Sequence, residues 1–228
     1  MPKKTKHCEN NCFMCQYVIP EWKELINSKR KAIKVKKGDQ FIQEGTLSNG
    51  IYFVQQGIIK VHKEFQDSKE RIVRFAKKGG IVGHRGLSSS QTQFPISATA
   101  LVDSEVCFIP IEFFKNVLKG NPDLTYKMLM FYADELQESE QKSSNQIQQS
   151  VKGRLAYCIL QLENTMGVDD YQYINIALSK TDIASYIGST YESIYRMMLE
   201  LENEKIIETS NKRIKIIDRN KLVDYSKV

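Results

Sequence analysis

The stretch from Leu178 to Ile217, LSKTDIASYIGSTYESIYRMMLELENEKIIETSNKRIKII, limits most tightly what this chain can fold into. Its apolar period changes from helical to strand-like within about forty residues. Ile183, Ala184 and Ile187 share one face of a helix predicted from about Lys180 to Ile187, with Ser179 as its cap. Gly188 stands where a left-handed residue ends a helix. Ser189-Thr190-Tyr191-Glu192 opens a second helix, Glu192 following Ser189 by three residues as in a capping box. Ile194, Met197, Met198 and Leu201 recur on that helix as a buried stripe. Ile206 to Glu208 and Arg213 to Ile217 then alternate as two strands around a polar turn, a wing.

Tyr191, Glu192, Tyr195 and Arg196 lie off the buried stripe, near the start of the second helix. A helix held by one face and bare on the other can enter a major groove. Glu192 can accept a hydrogen bond from cytosine N4, and Arg196 can donate both prongs to guanine O6 and N7. Ser189 and Lys180, at the two helix starts, complete the candidate DNA-facing set. Each side chain also has a plainer use: Glu192 as a capping partner, Arg196 as a surface charge paired with Glu192 or Glu200 one turn away.

Upstream, residues 1–21 are polar and carry Cys8, Cys12 and Cys15 without a readable period, and a short helix is expected over 21–28. From Arg30 to Pro110 short β-branched and aromatic runs alternate with glycine turns, which predicts a β-roll or small barrel. A short helix follows over 111–118, and Asn121-Pro122 opens a long one. Met128, Phe131, Tyr132 and Leu136 give that helix more apolar surface than an isolated helix carries. A contact with a second copy is favoured over packing on its own roll. The expected segments are therefore 1–21, a roll over 22–120, a dimerisation helix over 121–150, and a DNA-binding domain over 151–228, in an α+β chain.

The formal charge is +6, but residues 151–228 hold eleven Lys or Arg and eleven Asp or Glu, so the basic excess lies elsewhere. The local pattern, not the net charge, carries the case for DNA. The N-terminus lacks an apolar leader segment and no apolar run nears the roughly 18 residues of a membrane span, so a cytoplasmic protein with no membrane partner is expected. A Gly-rich phosphate loop, a nucleophilic triad and paired carboxylates are all missing, which argues against an enzyme.

Asp182-Ile183-Ala184, Gly188 and Glu192-Ser-Ile-Tyr-Arg196 resemble the winged helix of the CRP/FNR family of bacterial transcription regulators. Lys37-Gly38, Glu44-Gly45 and Gly57-Ile58-Ile59-Lys60 are similar to that family's glycine marks, so the resemblance runs from about residue 25 to the end. It implies a cyclic-nucleotide-binding-like β-roll (a double-stranded β-helix), a long dimerisation helix and a homodimer on palindromic double-stranded DNA. RNA polymerase would be a partner if the protein activates. It also implies base reading by Glu192 and Arg196. The family's cyclic-nucleotide contacts are Gly-Glu and a later Arg-Ser. Here His84 and Phe94-Pro95 stand at those places, which argues against a cyclic nucleotide. The FNR branch holds a [4Fe–4S] cluster on N-terminal cysteines plus one on a strand within a Val-Cys-x-Ile-Pro segment. Val106 to Pro110 is similar to that segment, so the resemblance implies ligation by Cys8, Cys12, Cys15 and Cys107, with oxygen dismantling the cluster, weakening the dimer and releasing DNA. Glu21 stands where that branch has its last N-terminal cysteine. Zinc, with Cys107 or His7 as fourth ligand, a thiol redox switch, and a regulator with another effector and no metal remain open alternatives.

Overall fold

Two adjoining strands explain how the β-rich half is organised: their alternate side chains serve two different cores. The computed structural model describes residues 12–65, 70–90 and 92–227, so Cys8 and His7 lie outside the described residues. In it β1 (Lys31–Val35), β8 (Ser104–Pro110), β3 (Gly50–Gln56) and β6 (Ile81–Val82) form one antiparallel sheet in that order. A second sheet runs β2 (Gln40–Ile42), β7 (Ser97–Ala100), β4 (Ile58–Glu64), β5 (Glu70–Lys77). Tyr52 and Val54 on β3, with Val106 on β8, face the core between the sheets, where Ile59, Val61 and Ala98 meet them. Ile51 and Phe53, with Cys107 and Ile109, face the other way.

That outer face is covered by helices. Helix α1 (Phe13–Tyr17) and α2 (Pro20–Lys29) precede the roll, and α3 (Ile111–Gly120) and α4 (Pro122–Gln148) follow it. Met14, Ile26, Phe114, Val117, Leu124 and Met128 from these helices bury against the sheet. Asn121 fixes the junction: its Oδ1 accepts from the Ile19 amide at 2.9 Å and its Nδ2 donates to Val117 O at 2.7 Å. Helix α1 lies inside the stretch where the sequence shows no period.

The chain forms two compact units, one ending at Asp134 and the other beginning at Glu135. The boundary falls inside α4, whereas the sequence reading set α4 apart as a segment of its own. In the second unit α5 (Val151–Met166), capped by Ser150, packs against α6 (Lys180–Ile187), α7 (Tyr191–Asn203) and α8 (Arg219–Ser226). Helix α8 carries too little apolar pattern to be read in advance. Strands β9 (Ile207–Ser210) and β10 (Arg213–Ile216) pair as the wing. Their two-residue turn, Asn211-Lys212, has both φ angles positive (50° and 64°), the twist a tight hairpin requires.

Candidate nucleic-acid interface and thiol cluster

Helix α6 starts with a full capping box: Ser179 Oγ accepts from the Asp182 amide at 3.0 Å, and Asp182 Oδ2 accepts from the Ser179 amide at 3.1 Å. Gly188 ends the helix at φ 69° and ψ 56°, a left-handed conformation in which a side chain is strained. The Ser189 amide then donates to Ala184 O at 2.9 Å, so Ser189 closes α6 and does not open α7. The cap of α7 is Thr190, whose Oγ1 accepts from the Ser193 amide at 3.2 Å. The capping box expected between Ser189 and Glu192 is therefore corrected: the helix starts one residue later, and Glu192 takes no part in its cap.

Ile194, Met198 and Leu201 are buried against the rest of the unit, while Tyr191, Glu192, Tyr195 and Arg196 are exposed. Among the described residues Arg196 has no carboxylate within ion-pair reach; Glu200, one turn on, meets Lys152 at 2.7 Å. Lys180 lies with its Nζ 5.6 Å from the centre of the Tyr195 ring. Lys180, Thr181, Tyr191 and Lys212 border one concavity of about 270 Å³ between the two helices and the wing. The wing is fastened from behind. The Leu178 amide donates to Lys212 O and the Ile174 amide to Ile214 O, both at 2.9 Å. Asp169 pairs with Arg213 and accepts from the Tyr171 and Tyr173 amides at 3.0 and 2.9 Å. The Arg213 guanidinium, with those amides, holds the Asp169 carboxyl below the usual carboxylate range. Asp169 and Arg213 were not read from the sequence as wing anchors; their separation of 44 positions conceals the pairing.

Three of the described cysteines belong to the first unit. Cys12 and Cys107 are buried in the core on the outer face of the β3–β8 sheet, and Cys15 packs against the same core. Among the described residues no three His, Cys, Asp or Glu side chains stand together as a ready-made ion site. Glu21 sits in the first turn of α2, exposed. Cys158 is apart from the others, buried on α5.

Around the turn that would hold a cyclic nucleotide, the chain is filled with hydrocarbon. Phe94 is buried, and its ring lies against both Gly83 and Gly86: a Cβ on either would stand 3.2 or 3.0 Å from it. His84 is buried too, its ring edge-on to Phe131 at 4.9 Å and to Tyr132 at 5.3 Å, while Tyr132 Oη donates to His84 O at 2.6 Å. The expected dimer residues divide accordingly. Met128 is buried in its own unit's core, Phe131 and Tyr132 lean on it, and Leu136 is exposed. Of these, Met128 packs within the chain, while Phe131 and Tyr132 are half-buried. In the first unit α4 exposes Tyr126, Leu129 and Met130; in the second it exposes Leu136 and Ile147.

A β-roll followed by a long helix and a winged helix-turn-helix is the build of a DNA-binding transcription regulator. Residues 32–121 match the cyclic nucleotide-binding domain family and residues 153–225 the Crp-like helix-turn-helix domain. The chain is 29% identical over 186 residues to the anaerobic regulatory protein of Bacillus subtilis (strain 168), covering 81% of this chain and 78% of that one. It is 23% identical to the fumarate and nitrate reduction regulatory protein of Vibrio cholerae, over 97% of this chain and 91% of that one. The structure of FixK2 from Bradyrhizobium japonicum shares the fold, with a TM-score of 0.78 at 19% identity over 87% of this chain and 98% of that one. The chain belongs to the CRP/FNR family of transcription regulators and is a regulator, not an enzyme. Among the described residues no helix is long and apolar enough to cross a membrane.

Proposed function

We propose that this protein is a homodimer that reads a palindromic duplex through α7, under the control of a thiol-ligated [4Fe–4S] centre in its N-terminal unit. The observation that carries the DNA reading is the outward face of α7, where Glu192 and Arg196 stand exposed and uncommitted to the helix cap. Two copies of such a helix read half-sites about one turn of DNA apart. Arg196→Ala is expected to lose about 1–3 kcal/mol of affinity for a selected duplex and almost none for random DNA. Equal loss on both would remove Arg196 from base reading.

The sensor reading rests on the convergence of Cys12, Cys15 and Cys107 on one apolar core, with Cys8 as the proposed fourth ligand. Four thiols form a soft donor set that suits iron and sulfide. When bound, the cluster would supply sensitivity to oxygen. The protein's own part is mechanical. Helix α1 bears Cys15 and is preceded by Cys12, and it touches α4 through Phe13 against Phe131 (5.8 Å) and Tyr17 beneath Lys127 (5.3 Å). Helix α1 would thus link the residues that would hold the cluster to the helix that exposes Leu129 and Met130. Protein purified without oxygen should contain about four irons per chain and bleach in air; a colourless, iron-free protein after anaerobic reconstitution would end the cluster reading and leave the DNA reading intact.

A further inference from the structure

The exposed face of α7 carries two ridges. Glu192 and Arg196, one turn apart, make a polar ridge; Tyr191, Tyr195 and Leu199 make an apolar one beside it. Tyr191 and Tyr195 are 48% and 50% exposed, and their rings stack 6.3 Å apart within 22° of parallel. Three large apolar side chains in a row on a water-facing helix mark a surface that something covers. Stacking and the Lys180 ammonium fix the two rings without hiding them, so little side-chain freedom is left to lose on binding.

A major-groove floor offers donors and acceptors, which suit Glu192 and Arg196, and one apolar group, the C5 methyl of thymine. We propose that Tyr191 and Tyr195 are specificity-determining residues that read thymine by closing over that methyl, next to the bases met by Glu192 and Arg196. The proposal rests on the reading of α7 as the helix that enters the groove. The contact is assigned to the rings and not to the phenol hydroxyls, whose hydrogen bonds to phosphate would not sense sequence.

Deoxyuridine differs from thymidine by the methyl group alone, which gives a clean probe. Duplexes selected by the full chain from a random pool are resynthesised with deoxyuridine at one thymidine position at a time. At one or two positions per half-site, wild-type protein should bind the deoxyuridine duplex roughly fourfold more weakly, as expected for one methyl withdrawn from an apolar contact. Tyr195→Ala or Tyr191→Ala should erase that difference, while Tyr195→Phe should keep it. Wild-type binding that is indifferent to deoxyuridine at every position overturns the proposal. So does a deoxyuridine effect that survives in both alanine variants, or one that vanishes in Tyr195→Phe with equal weakening on all duplexes. Selection that enriches no duplex at all would instead refute the groove-entering role of α7, on which the proposal stands.

Discussion

Met128 and Leu129 are neighbours in sequence with opposite surroundings, and truncating each should do opposite things. Met128 is 3% exposed and belongs to the core that holds Phe53, Cys107 and Phe114. Leu129 is 64% exposed on the outer side of α4. Met128→Ala leaves a cavity in a packed core and should destabilise the fold by about 2–5 kcal/mol. Leu129→Ala should leave the stability of the single chain within about 0.5 kcal/mol, as expected for a surface position. In the proposed homodimer its effect would fall on association. Fully burying a leucine is worth about 1.5–3 kcal/mol, of which about two-thirds is still unspent at Leu129. A two-fold interface uses the residue twice, so the variant should lose roughly 1–3 kcal/mol of dimer stability after allowing for the methyl that alanine keeps. That weakens the dimer by about 5- to 150-fold. Sedimentation over a dilution series gives the dissociation constant, and urea unfolding at the dilute limit, where association no longer contributes, gives the stability of the single chain. An unchanged dimer constant in Leu129→Ala, or a loss of fold stability matching that of Met128→Ala, would refute the assignment of the two sides of α4.

Two further perturbations follow from the second unit. Thr190→Ala should cost about 1 kcal/mol of stability in urea unfolding because it strips the cap from α7, while Ser189→Ala should stay within about 0.5 kcal/mol; the reverse order would restore Ser189 as the cap. Burial pushes the Cys158 thiol up to about 12, with Lys142 pulling weakly downward. Because the folded value lies above the ordinary one of 9.0, the contribution is whole below that pH and is lost as pH climbs toward 12, where the unfolded chain releases a proton that the folded chain keeps. The Tyr186 phenol, also raised by burial, acts in the same direction at higher pH. The urea midpoint should thus fall between about pH 8 and 10, and less steeply in Cys158→Ala; parallel slopes for the two proteins would show that the thiol is not responsible.

The DNA-reading end was legible in the sequence because its determinants are local. The stripe, the glycine at 188 and the two wing strands each act within one or two turns of chain; the structure buries Ile194, Met198 and Leu201, leaves Met197 half-buried, and keeps the glycine and the wing. The cap slipped by one residue for a local reason as well. Ser189, Thr190 and Glu192 all suit a helix start, and the amide of Ser189 decides by taking the Ala184 carbonyl to finish α6. Helix α4 is different in kind. Its sequence shows that it is apolar on more than one side but not which side meets its own roll; that depends on Phe53 and Cys107, tens of residues upstream. Helix α1 is five residues long, too short to show a period, and it forms where Cys12 and Met14 find the outer face of β8. The same division runs through the proposed function. The residues that would read bases lie together in α7, whereas the thiols that would report a signal meet only through the pairing of β8 with β1 and β3, which turns Cys107 toward the helices. Altering specificity should therefore need one or two substitutions on a single helix. Altering the signal should require α1, β8 and α4 to change together, because their side chains share one core.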